Sequence, residues 1–275
     1  MANTGHKRTE LYEHLRPWTT LAGAVAGVLV ATVFHFTLPD AAAKILIDRG
    51  GLIYPFSVQN MMWVAFGVAL AELAVRAMTV RTEGAQLRLE LLPEDETTVL
   101  VAEDLPDIFR EVRAKPNSAR CFLPRLIQRC ILQFQASQSI EQSASLLNTS
   151  LEMFIHEVDL RYSLLRYLSW LIPSLGFIGT VIGIGHALSY AGLPGKFEDP
   201  NLLSEVTSRL AVSFDGTLVA LVLASIIVFL QTIIQSREEK VLNQTGEYCL
   251  DNLINRLYVG PLTREVAYVP KESAS

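Results

Sequence analysis

Apolar residues in this chain gather into four blocks, and the polar stretches between them keep a helical rather than an alternating rhythm. A bilayer core of about 30 Å takes roughly 20 mostly apolar helical residues. The first block is Thr20 to Leu38, TLAGAVAGVLVATVFHFTL. The second runs from Ser57 to Met78 and is densest at 61–71, MMWVAFGVALA. The third spans Tyr167 to Leu188 and the fourth Leu210 to Ile234. Lys7, Arg8 and Arg16 before the first block, with Ala41-Ala42-Ala43 after it, imitate a signal peptide and its cleavage site. Both the leading region and the apolar run are long for a signal, so this block is expected to stay as an anchor.

Between the second and third blocks, Leu105, Ile108, Phe109 and Val112 share one helical face, and Lys115-Pro116-Asn117-Ser118 is a break. Residues 119–166 hold no Gly and only Pro124. Leu126, Ile127, Cys130, Ile131 and Phe134, then Ile140, Ala144, Leu147, Leu151, Phe154 and Ile155, recur at helical spacing. The pattern predicts one long helix that runs into the third span unbroken. Beyond the fourth span, Val241, Leu242, Tyr248, Leu250, Leu253, Ile254 and Leu257 keep a broad apolar face, which predicts a similar extension.

The fold class is therefore an all-α membrane protein with four transmembrane helices, the last two extended into a cytoplasmic helical bundle. Its segments are 1–78 (amino end and transmembrane helices 1 and 2), 79–166 (a large cytoplasmic helical loop), 167–235 (transmembrane helices 3 and 4) and 236–275 (a cytoplasmic helical tail). The sidedness comes from Lys and Arg near the span ends. Lys7, Arg8, Arg16, Arg76, Arg81, Arg88, Arg161, Arg166, Arg237 and Lys240 would lie on one side, against Lys44, Arg49 and Lys196 on the other, with Arg209 at the boundary. Both termini are thus expected in the cytoplasm.

Composition narrows the function. Half of the 275 residues are apolar, which excludes a disordered chain. A net charge of −5 gives no basic field for nucleic acid. Three cysteines are an odd number, which excludes a disulfide scaffold, and all would face the reducing side.

The third span carries a narrow stripe of small residues, Gly176, Thr180, Gly183 and Ala187, at i, i+4, i+7 and i+11. The fourth repeats that spacing with Ser213, Thr217, Ala220 and Ala224. Such stripes let helices approach closely in lipid, and tight packing alone would account for one of them. Two matched stripes, each with a threonine second, add hydroxyls that can hold water or an ion. The ionisable residues in or near the spans are His35, Glu72, Arg76, Arg209 and Asp215. Charge in a span costs roughly 2.5–3.5 kcal/mol at the centre, so each is a site candidate. Glu72 and Arg76 read as an i, i+4 ion pair, and His35 as a hydrated interfacial histidine. Asp215 lies about 200° round the helix from Thr217, off the small stripe. An ion or proton role and a hydrogen-bonded structural role are both open to it.

PSLGFIGTVIG followed by SFDGTLVAL resembles the paired motif of the MotA/TolQ/ExbB proton-channel family. That family has a P-x-x-G-x-x-G-T-V-x-G-type span and a later A-L-x-x-T-x-x-G-type span. Pro173, Gly176, Gly179, Thr180 and Gly183 match the first motif, and Thr217 matches the second threonine. Ser213 and Ala220 flank Thr217, with Ala220 where the motif usually has Gly. Four spans match MotA-type subunits, whereas TolQ and ExbB types have three. Asp215 is foreign to TolQ and ExbB at that offset and resembles relatives of the ZorA type.

The resemblance implies the pore-forming subunit of an ion-driven rotary stator in the bacterial inner membrane. It implies a homo-pentamer around two copies of a single-span partner subunit that carries an intramembrane Asp. Protons or sodium ions would drive it, with no cofactor and no metal. Spans three and four would line the pore, with Thr180, Thr217 and Asp215 on the ion pathway. Pro173, Gly176, Gly179, Gly183, Ser213 and Ala220 would shape the packing and pore motif. Arg110, Glu111, Arg113 and Lys115 form a charge-dense helix end, readable as a solvated face or as a rotor-type contact.

Two rivals are a secondary transporter and a structural membrane scaffold. A transporter wants paired broken helices at mid-membrane. Pro173 could break span three, but spans one and two hold no counterpart. An enzyme is not expected. Ser174 and Ser213 lack an in-span histidine at a convincing depth, His186 sits near the outer end of span three, and there is no H-E-x-x-H or metal cluster.

Overall fold

The computed structural model describes residues 6–47, 56–95 and 98–258. The side chains of Lys7, Arg8 and Arg16, Arg49, and the tail beyond Tyr258 lie outside the described residues. Eight α-helices follow in chain order: α1 His6–Thr37, α2 Asp40–Ile47, α3 Val58–Gln86, α4 Leu105–Ala114, α5 Phe122–Ser137, α6 Ile140–Arg161, α7 Ser163–Ala191 and α8 Leu202–Asn252. The one pairing of extended backbone among the described residues is an isolated parallel bridge, Leu100 with Leu257. Four stretches are long and apolar enough to cross a membrane: Pro17–Thr37, Val58–Gln86, Ile140–Ala191 and Leu202–Arg256. The protein is an all-α membrane protein.

The single helix expected over 119–166 is instead three pieces. α5 stops at Ser137 because Gln138 turns left-handed, with φ 50°, and its N–H caps the Phe134 carbonyl at 2.8 Å. α6 then restarts on Ser139, whose hydroxyl accepts the Gln142 N–H at 3.3 Å. Ser139 and Gln142 have the S-x-x-Q spacing of a capping box, a start signal that the unbroken apolar rhythm hides. The second interruption is one residue long, Tyr162 (φ −89°, ψ 0°), between α6 and α7. Pro173, by contrast, does not end α7, which runs through it.

The chain forms two compact units. The first comprises Met1–Arg81 and His156–Lys240. In it α1 and α3 meet backbone to backbone. A Cβ added at Gly23 would lie 2.8 Å from the Gly67 carbonyl oxygen, and one at Gly27 2.7 Å from Val64 Cα. The Gly23-x-x-x-Gly27 spacing with Gly67 opposite is what permits this approach. Phe34 meets Trp63 edge to face at 5.0 Å.

Between the first two spans, α2 packs on α1 and buries Ala43 and Ile47 completely. A helix end leaves carbonyls without partners, and α3 supplies them. Trp63 Nε1 donates to Leu46 O at 2.8 Å, Gln59 Nε2 to Ile45 O at 3.4 Å and Ser57 Oγ to Ile47 O at 3.5 Å. Arg76 and Glu72 form the expected i, i+4 pair at 2.9 Å, with both side chains buried. Glu238, fully buried on α8, accepts from Tyr162 at 2.9 Å and from Arg161 at 3.2 Å, which pins the α6–α7 interruption to α8.

The second unit comprises Thr82–Ile155 and Val241–Ser275. Its core is built on α5, where Phe122, Leu123, Leu126, Ile127, Cys130, Ile131 and Phe134 are all essentially buried. Phe154 and Leu147 of α6, Leu242 and Cys249 of α8, and Leu253 just beyond α8 are buried in the same unit. Each such side chain contributes roughly 1.5–3 kcal/mol on burial. Buried Glu83 accepts the Phe122 N–H at 2.8 Å at the start of α5, where an anion also suits the helix dipole. Arg256 places all its N–H groups at the other end. It donates to the carbonyls of Asp251 (3.1 Å), Pro93 (2.9 Å), Glu94 (3.1 Å) and Asp95 and to Asn252 Oδ1 (2.8 Å). The segment after α3 is thereby tied to the end of α8.

Candidate functional site: the seam between α7 and α8

Two long apolar helices in contact need small residues where their backbones come closest. Along α7 and α8 those positions are Gly176 against Ala220 and Gly183 against Ser213. A Cβ at Gly176 would lie 2.5 Å from Ala220 Cβ, and one at Gly183 would strike the Ser213 hydroxyl and lie 2.7 Å from Ser213 Cβ. Ser213 directs its own hydroxyl to the Arg209 carbonyl at 2.8 Å, so it satisfies itself on α8.

Between these two contacts sit Thr180 and Thr217, their hydroxyls touching. Thr180 Oγ1 lies 3.2 Å from the Gly176 carbonyl and 3.1 Å from the Ser213 carbonyl. Thr217 Oγ1 donates to the same Gly176 carbonyl at 3.0 Å. A hydroxyl has one proton and two lone pairs. With two protons and so many acceptors at hand, both protons are used inside the seam, and what remains to offer is lone pairs. A third group approaching this pair must donate a hydrogen bond or carry positive charge. Water, a protonated carboxylic acid or a small cation meets that condition, and a bare carboxylate does not. Both threonines are half-buried in the single chain.

The remaining predicted residues fall in different places. Gly179 is off the α7–α8 seam, where an added Cβ would make only ordinary contact with Val58 of α3 at 3.5 Å. Pro173 is half-buried within α7. Asp215 is half-buried on α8 and has neither hydrogen-bond nor ion-pair partner among the described residues. Arg110, Glu111 and Arg113 are exposed on α4 and Lys115 is half-buried just beyond it, while Leu105 and Val112 anchor the opposite face. Arg110 pairs with Asp107 at 2.7 Å and Lys115 with Glu111 at 3.2 Å. Exposed pairs of this kind contribute little to stability.

Sequence reasoning missed the support behind the seam. Val58 and Gln59, in the first turn of α3, pack against Gly179 and Gly216, the neighbours of the two threonines. Gln59 is buried. A glutamine at the very start of an apolar span was the available signal.

The sequence model of the MotA/TolQ/ExbB proton channel family matches residues 117–247, which hold α5, α6, α7 and most of α8. Over that stretch, with the entire seam inside it, the chain is similar to the MotA/TolQ/ExbB proton channel family. No curated protein and no solved structure matched the chain.

Proposed function

We propose that this chain is the pore-forming subunit of a rotary stator that couples ion flow to mechanical work. The observation that carries the reading is the Thr180–Thr217 pair, half-buried between two helices in a stretch that matches a proton-channel family and left with lone pairs only. In the proposed assembly five copies surround two single-span partner helices, each with an intramembrane Asp. The protonated acid of the partner can donate to the threonine pair and its ionised form cannot, so the seam favours one protonation state. Protons are the proposed driving ion, and sodium would use the same lone pairs. The proposed location is the bacterial inner membrane, with both termini, α4 and α5 in the cytoplasm. There the α4 face with Arg110, Glu111, Arg113 and Lys115 would meet the driven component.

A structural scaffold is the second reading, and one observation favours it. The two hydroxyls already satisfy each other and the backbone, as a simple packing lock would. The deciding experiment is co-purification with the product of the neighbouring gene, followed by native mass measurement and proton uptake in vesicles. Five copies with two partners and uptake driven by an imposed gradient support the stator. A stable monomer or dimer without a partner and without uptake supports the scaffold.

A further inference from the structure

Asp215 has no partner among the described residues, and α8 leads to it from one side only. Asn201, Ser204, Ser208, Ala211 and Asp215 recur at i, i+3, i+7, i+10 and i+14, one face of the helix, and the first four are exposed. Past Asp215 the same face turns apolar with Leu218 and Val222, 59 % and 51 % exposed. Small and polar residues therefore follow α8 into the membrane as far as the carboxyl and stop there. Asp215 lies five residues beyond Leu210, about 8 Å deeper at a rise of ~1.5 Å per residue. Ser213 and Thr217, its neighbours two residues either way, hold α8 to α7 at Gly183 and Thr180, so its level along the spans is fixed just before the threonine pair.

An unpaired carboxylate facing hydrocarbon costs roughly 2.5–3.5 kcal/mol, so in the assembled protein this face meets water or protein. The charged and titratable groups around it are already engaged with one another. On α8, Glu205 and Arg209 approach to 3.8 Å, and Arg209 stacks on Tyr190 of α7 at 4.3 Å. In the turn between these helices Lys196 and Asp199 pair at 2.9 Å. His186 of α7 is exposed, and α3 presents the uncharged Gln59. None of these is bonded to Asp215.

The geometry points to Asp215 as an ion-binding carboxyl of this chain itself, loaded from the outer side before the ion reaches the threonine pair. The step is protonation and release: an ion arriving along the Ser204–Ser208–Ala211 face binds the carboxylate, then leaves toward Thr217. This rests on the proposed stator reading for its direction and its outer side.

The test uses the full complex in vesicles, with a hydrophobic carbodiimide that modifies protonated carboxyls, read by mass spectrometry, beside proton uptake. Labelling at Asp215 should rise as the external pH is lowered and ignore the internal pH. Asp215→Asn should assemble yet lower uptake about 100-fold or more, the scale of a lost proton-transfer group, while Asp215→Glu keeps most of it. Absence of label at Asp215, labelling that follows the internal pH, or normal uptake by assembled Asp215→Asn overturns the inference. If the unaltered complex takes up no protons, the stator reading fails, and the labelling still decides whether Asp215 loads from outside.

Discussion

The first unit contains two close helix contacts that solve the same packing problem with different side chains. Between α1 and α3 the contact is glycine on backbone, Gly23 and Gly27 against Gly67. Between α7 and α8 the same closeness at Gly176 and Gly183 brackets two hydroxyls that touch. Small residues alone thus mark only where helices meet. What separates a joint from a candidate pathway is a polar group with capacity left over, as the two threonines have in the α7–α8 seam.

Bulk should break both contacts, and this is the largest expected effect. Gly67→Leu and Gly183→Leu each force a side chain into backbone or Ser213, at or beyond the roughly 1–3 kcal/mol usual for overpacking. Loss of folded, detergent-stable protein by size-exclusion chromatography is the expected outcome for both. A folded Gly67→Leu protein would mean that α1 and α3 are not in backbone contact.

A smaller change separates seam from flank. Gly176→Ala places a methyl 2.5 Å from Ala220 and should lower the melting temperature measurably. Gly179→Ala makes only ordinary contact with Val58 and should leave it within error. Equal losses would put both glycines on one interface, as the motif alone suggests.

The thiols offer a purely apolar comparison, with the smallest effect. Burial pushes Cys130 up to about 12, and burial with the nearby Glu83 charge pushes Cys121 up to about 12. Against an ordinary thiol near 9 that is about 1,000-fold fewer thiolates at neutral pH. Alkylation at pH 8 should therefore be negligible until denaturant is added. Because the raised values favour the neutral thiol in the folded state, their stabilisation is intact below about pH 9 and fades as pH rises toward about 12. Fast labelling of the native protein at pH 8 would show that the α5 core opens.

Much of this was legible in the residues. Four apolar blocks gave the spans, because bilayer thickness sets a length that soluble cores do not need. The paired stripes brought Thr180 and Thr217 to one seam, because helical periodicity is enough to place positions four and seven apart on one face. The break at Gln138 was not legible from apolar spacing, since Phe134 and Ile140 keep nearly the same rhythm across it, and only the Ser139–Gln142 cap betrays it. The contacting face of α7 passes through Gly176, Thr180 and Gly183, as the stripe predicts, and leaves Gly179 of the motif to α3. α2 was hidden because its anchoring comes from Ser57, Gln59 and Trp63, partners far along the chain that no local pattern announces.

The central claim is that the threonine hydroxyls carry chemistry and not only packing. Thr180→Val with Thr217→Val keeps the volume and removes both hydroxyls, at a stability cost of about 0.5–1.5 kcal/mol per lost hydrogen bond. The measurement is proton uptake by vesicles holding the assembled double variant, with its mass and melting temperature taken in parallel. The account predicts an intact assembly whose uptake is slowed or stopped. Normal uptake by that assembly would contradict it and leave the seam as a joint like that of α1 and α3.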